Sequence, residues 1–220
     1  MKGSLGKGVM KPSKKGDSEV YLQIEPGESQ FLLFNLELEQ KLDYVTPKSP
    51  PVPVEGVWKL NFISGGPVLP ENRTLKTLTS WTELEDPAAT YFSGTARYSV
   101  SFNKPGVEAD EWRLDLGRVA ESARVKLNGK DIGAVWCLPF HLVFGNNLLK
   151  ENNVLEIDVT NLAANRIIGM EKKGAYWKKF YDINMVDINY KPFDAAGWEP
   201  VESGLIGPVQ LIPMKYFNPR

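Results

Sequence analysis

Apolar residues recur at every second position in one segment of this chain after another. Leu155, Ile157 and Val159 alternate with Glu156, Asp158 and Thr160, the two-residue period of a strand with one face buried and one wet. Ala96, Tyr98, Val100 and Phe102 repeat the pattern, as do Trp112, Leu114 and Leu116 before Gly117, and Ala123, Val125 and Leu127 before Asn128-Gly129. Asn-Gly between two alternating runs signals a tight hairpin, here leading into Ile132, Ala134 and Trp136. Gly56 to Ile63 opens the series with Val57 and Trp58 on opposite faces, and Pro208 to Pro213 closes it. Short strands joined by Gly, Asn and Pro turns, with almost no helical period, predict an all-β chain, an antiparallel β-sandwich. Two sheets about 10 Å apart would bury the alternating faces, and a jelly-roll topology fits the strand count. Leu155, Ile157 and Val159 are expected to share a core with Val125, Leu127, Tyr98 and Val100.

Two regions stand outside this pattern. Val20, Leu22 and Ile24 precede a turn at Glu25-Pro26-Gly27-Glu28, and Phe31 to Phe34, Leu36 and Leu38 follow it. This reads as a hairpin whose second strand is apolar on both faces, which needs a cover. A Pro-rich stretch from Gln40 to Glu55 reads as a linker. The expected division is therefore a loop or disordered tail over residues 1–18, a hairpin and linker over 19–54, and the sandwich over 55–215. The second exception is the forty residues from Ala164 to Ser203. Asn161, Asn165 and Arg166 are expected on a loop leaving the strand. A connection that long is uncommon unless functional or disordered. Seven aromatics (Tyr176, Trp177, Phe180, Tyr181, Tyr190, Phe193 and Trp198) argue for an ordered, packed excursion, with one short helix expected in Met170 to Tyr181.

Composition removes several classes of function. The net charge is −1 and the pI about 6.0, without the basic excess of a nucleic-acid surface. His141 and Cys137 are single, so no disulfide within one chain and no Cys/His zinc cluster can be built. The Lys- and Gly-rich start carries no apolar run and is neither a signal peptide nor a membrane span. A periplasmic or secreted parent would carry its signal outside this sequence.

An ordered set of short motifs carries a family likeness: Trp81-Thr82, Tyr91 to Tyr98, Leu114 to Gly117, Val125 to Gly129, Trp136 to Phe140, Asn161 to Gly169 and Ser203 to Val209. The set resembles the galactose-binding-like, sugar-binding jelly roll of glycoside hydrolase family 2, and more closely the C-terminal region of family 106-like α-L-rhamnosidases. The likeness spans roughly Glu55 to Pro213, and Glu19 to Leu38 looks like the last strands of a preceding domain. Ala163 stands where family members often carry an aromatic, and Met170 where they often carry an acid. The catalytic barrel of such enzymes does not fit in this chain.

The candidate carbohydrate-binding residues are Trp136, Asn165, Arg166 and Trp198. A loop-borne tryptophan can stack on the apolar face of a sugar, and Asn with Arg supplies directional hydrogen bonds to hydroxyls. The competing reading of Arg166 is a brace for the excursion. Trp81 and Trp177 are further platform candidates, whereas Trp58 and Trp112 sit in alternating strands and are read as core. Glycoside hydrolysis needs two carboxylates about 5–9.5 Å apart. Glu199 with Glu202, or Asp182 with Asp187, could be proposed, but loop acids mostly brace turns or face water. His141, beside Phe140 and Leu142, is read as structural. Asp115 and Asp158 are the candidates for a structural calcium, without the acid-rich loop such a site needs.

These readings favour a non-catalytic accessory domain that binds or positions carbohydrate, a plant or host polysaccharide, or buttresses a catalytic domain. The alternatives are a part of an α-L-rhamnosidase or β-galactosidase-like enzyme whose catalytic domain lies elsewhere, and a protein-docking module without sugar affinity. A catalytic domain or partner chain is expected to meet residues 19–38. No nucleic-acid or membrane partner is expected.

Overall fold

The structure, a computed structural model, describes residues 5–12, 17–34, 36, 38–179 and 186–219. Phe180, Tyr181 and Asp182 lie outside the described residues. The chain is all-β, with 42% strand and 9% helix. In order its strands are β1 (Met10–Pro12), β2 (Ser18–Val20), β3 (Tyr44–Pro47), β4 (Val52–Pro53), β5 (Trp58–Gly66), β6 (Arg73–Leu75), β7 (Ser93–Asn103), β8 (Glu111–Asp115), β9 (Arg118–Ala120), β10 (Ser122–Leu127), β11 (Lys130–Val135), β12 (His141–Gly145), β13 (Asn152–Thr160), β14 (Gly204–Gly207) and β15 (Gln210–Phe217). A one-turn helix α1 (Pro87–Thr90) precedes β7, and α2 (Ala164–Lys172) follows β13.

Six strands pair in the order β11-β10-β13-β7-β5-β6, and a second sheet runs β12-β8-β15-β3 with β4 also on β15. Neighbours in both sheets are antiparallel. One core draws on both sheets. From the first come Leu60, Tyr98, Val125, Leu155, Ile157 and Val159, and from the second Trp112, Leu114 and Leu211, all nearly inaccessible. Each such Leu, Ile or Val side chain contributes roughly 1.5–3 kcal/mol by leaving water. Trp58 and Trp112 are core residues as expected. Asn128 and Gly129 take φ of 54° and 79°, the left-handed pair of a two-residue hairpin turn between β10 and β11.

The structure departs from the sequence reading in four places. No hairpin spans Glu25–Glu28. The turn forms, with Glu28 N–H on the Glu25 carbonyl at 3.0 Å, but residues 21–34 adopt no strand. The N-terminal ribbon instead pairs β1 with β2, and Phe31–Phe34 are left exposed. The Pro-rich stretch is not a free linker, since β3 and β4 hydrogen-bond to β15. Prolines are tolerated there because both strands lie at the border of the sheet. The chain after Thr160 enters a helix rather than a loop, and that helix is Ala164–Lys172 rather than one within Met170–Tyr181. Finally, Ile132 and Ala134 do not share a face. The β10–β11 register shifts between Val125 and Lys126, leaving Ile132 as the extra residue of a bulge beside Gly133 at φ 134°. Val135 is then buried, while Ala134 and Trp136 face out.

Candidate functional site

Strand register brings the candidate residues to one end of the six-stranded sheet. Thr160 pairs with both Ser122 and Thr95, and Val135 pairs with Ala123. The chain therefore leaves β11 at Trp136 and β13 at Asn161 on the same edge of the fold. The excursion returns to that edge through residues 198–204.

A buried polar network ties the excursion down. Asn161 accepts from Gly94 N–H at 2.9 Å and donates to the Phe92 carbonyl at 2.9 Å and Ser203 Oγ at 3.1 Å. Asn165 is 1% exposed. Its amide nitrogen donates to the Val201 carbonyl at 2.7 Å and Ser203 Oγ at 3.2 Å, and its oxygen accepts from Val201 N–H at 2.8 Å. Ser203 N–H donates to Ser80 Oγ at 3.0 Å, and Trp81 N–H to the Ser203 carbonyl at 2.9 Å. Below them Tyr98 Oη accepts from the Trp81 indole at 2.6 Å and from Leu205 N–H at 3.1 Å. Burial pushes the Tyr98 phenol up to about 12, against the pull of those two donors. Gly204 passes this spot at φ 96°, where a Cβ would stand 2.4 Å from the Trp81 indole nitrogen. Trp81, a platform candidate from sequence, is thus wholly buried.

Above the network the excursion makes a small aromatic row. Trp198 meets Phe193 at 5.6 Å and 68°, and Phe193 meets Trp177 at 6.0 Å and 87°. Lys178 lies 5.8 Å from the Trp177 ring and 5.6 Å from the Phe193 ring, bonded to the Phe193 carbonyl at 2.6 Å and paired with Glu171 at 3.0 Å. That pair joins the end of α2 to the row. Trp198 remains 54% exposed and Trp136 58% exposed. Arg166 is exposed on α2 and lies over Gly66, where a Cβ would stand 3.0 Å from its guanidinium. Among the described residues no hydrogen bond or ion pair engages it.

Trp198, Arg166 and Trp136 are thus exposed, Arg166 over the end of β5 and Trp136 just past the end of β11, four strands away in the same sheet, whereas Asn165 is buried with its amide bonded internally. Such exposed groups can stack on a pyranose and donate hydrogen bonds to hydroxyls. The acids are engaged otherwise. Glu202 pairs with Arg118, and Asp187 accepts from the N–H groups of Asn189 at 2.7 Å and Lys191 at 3.0 Å. Asp158 forks with Arg97 at 2.6 and 2.8 Å, and Asp115 accepts from Gly117 N–H at 2.8 Å. Among the described residues no three His, Cys, Asp or Glu side chains gather as a metal site. The two calcium candidates are thus engaged separately, Asp158 in an ion pair and Asp115 in a turn. No helix among the described residues is long and apolar enough to cross a membrane.

A groove of about 390 Å³ lies elsewhere. It is lined by Val52, Pro53, Phe102, Asn103, Asn152 and Leu211 among others, and contains none of the candidates. His141 sits in a cluster of its own, 3.6 Å from Glu25 and 3.9 Å from Glu28. Burial and the Arg113 charge lower its pKa, against the pull of Glu25, Glu28 and Asp115. Ser80, Ser203, Gly204 and the Tyr98 hydroxyl were not singled out from sequence. The one local signal was the break of alternation at Asn161.

No family model matches the chain. A protein of Formosa agariphila described as "Putative beta-glucuronidase" is 33% identical over 225 aligned positions, which take in 90% of this chain and 19% of that protein. The solved structure of a rhamnosidase from Novosphingobium sp. PP1Y superposes on 80% of this chain with a TM-score of 0.60 and 33% identity, using 16% of that enzyme. The chain thus spans less than a fifth of either relative. Its structural neighbours are parts of glycoside hydrolases.

Proposed function

We propose that the chain is a non-catalytic accessory domain of a larger glycoside hydrolase, of the galactose-binding-like, rhamnosidase-associated kind. It offers one end of its sandwich to carbohydrate. Trp198 and Trp136 present rings to the sugar, Arg166 donates to hydroxyls, and Asn165 holds the supporting loop. The observation that carries this reading is the 33% identity to a stretch making up only 16% of a rhamnosidase, which leaves most of that enzyme to other domains. The acids support it too. A glycosidase needs one carboxyl raised by burial and a second held across a pocket, and the acids of the described excursion cap turns, pair with bases or face water.

The test is release of nitrophenol from aryl rhamnosides and galactosides by the chain alone. No release above buffer is expected. Turnover that survives Glu199→Gln and disappears with another single acid substitution would overturn the reading and identify the catalytic residue.

A further inference from the structure

The N-terminal arm is seated on the second sheet by specific contacts. Gln23 uses both ends of its amide on the backbone of Val45, accepting from the N–H at 3.2 Å and donating to the carbonyl at 2.8 Å. It thereby substitutes for a neighbouring strand at the β3 border. Tyr21 packs edge-on against Tyr44 at 5.0 Å and Phe217 at 5.9 Å. Glu25 pairs with Arg113 at 2.5 Å and lies 3.6 Å from His141. Gly27, at φ 91°, lies so close to the Trp136–Phe140 loop that a Cβ would stand 2.1 Å from the Leu138 carbonyl oxygen.

Immediately beyond this anchorage the chain turns its apolar side chains outward. Phe31 is 89%, Leu33 66%, Phe34 74% and Leu36 51% exposed. Scattered exposed apolar residues are ordinary, but a contiguous strip marks an interaction surface. Ordering an arm with ion pairs and a glycine turn only to present five large apolar groups, Leu32 included, to water has an unfavourable hydration term that a cover would remove.

The length of the relative argues for one occupant over the others. The match to the Formosa agariphila protein takes in 90% of this chain's 220 residues, leaving about 22 outside a contiguous alignment. Residues 31–36 are farther than that from either end, so the strip lies inside the match. It belongs to a segment shared with a protein about five times as long. We propose that residues 22–34 with Leu36 are an interdomain latch. Glu25 to Glu28 lock onto the sandwich, and Phe31, Leu33, Phe34 and Leu36 seat in an apolar groove on another domain of the same glycoside hydrolase polypeptide. The latch rests on the accessory-domain reading and supplies the contact that fixes the sugar-facing end relative to the catalytic domain.

The experiment is carbene footprinting of this chain and of the intact Formosa agariphila protein, with the strip compared at aligned positions. At least tenfold less labelling is expected in the intact protein. Equal labelling overturns the latch. Sedimentation of this chain supplies the second arm. A monomer is expected, and a dimer abolished by Phe31→Ser with Phe34→Ser would make a second copy the occupant and overturn the proposal. That double variant should melt with the parent chain, because the replaced rings touch little within it. Nitrophenol release by this chain would defeat the accessory reading whatever the footprint. Equal labelling in the two proteins, with this chain still binding sugar and hydrolysing nothing, would defeat the latch alone.

Discussion

Replacing Asn165 by Ala distinguishes a ligand residue from an anchor. The side chain makes three hydrogen bonds, two to the backbone of Val201 and one to Ser203 Oγ, and is 1% exposed. At about 1 kcal/mol net per bond, and with the Val201 groups partly reached by water once freed, the loss is about 2–3 kcal/mol. For a domain of this size each kcal/mol lowers Tm by roughly 2–4 °C, so a fall of about 4–12 °C is expected. Thermal unfolding by circular dichroism measures it. Hydrogen exchange adds a local reading, with the amides of Val201 and Ser203 losing protection before those of β7 and β13. A variant that melts within 1 °C of the parent and loses only sugar binding would refute the anchor and make Asn165 a ligand residue.

Three further outcomes follow from the same geometry. Gly204→Ala forces a Cβ into a left-handed backbone against Trp81 and Tyr98; strain and overpacking together should cost about 3–5 kcal/mol, read as a lower denaturation midpoint at unchanged slope. His141 is held below its usual pKa of 6.5 by burial and Arg113, so the unfolded chain takes up that proton first. The stability it contributes is complete above about pH 6.5 and declines as pH falls, so Tm should drop between pH 7 and 5, and less so in His141→Gln. Glu25→Gln removes the partner of Arg113 and should raise proteolysis of residues 17–34 severalfold without moving the main melting transition.

Alternation exposed the sandwich because its strands obey the two-residue period strictly. Leu155, Ile157 and Val159, and Val125, Leu127, Tyr98 and Val100 opposite them, are all core. The period misled where backbone geometry changed without an apolar signature. The bulge that turns Ala134 outward depends on Gly133, and a lone glycine in a strand does not reveal which residue it ejects. The arm misled for the opposite reason. Phe31 to Phe34 have the composition of a buried strand, but pairing is a tertiary event and no strand among the described residues pairs with them. Exposed Trp198 and Trp136 were visible as loop tryptophans. Of the anchor, only Asn161 was visible, at the break of alternation; Ser80, Ser203 and Gly204 were not, because they are distant in sequence and individually ordinary, and only the fold brings Ser80 within 3.0 Å of Ser203.

Titration calorimetry of the full chain with rhamnose, galactose and glucuronic acid, repeated on Trp198→Ala, tests the sugar-facing role most directly. The account predicts weak binding of at least one sugar, with Kd in the millimolar range or about −4 kcal/mol, lost in the variant at unchanged Tm. Absence of heat with all three sugars, or binding that Trp198→Ala leaves intact, would contradict it.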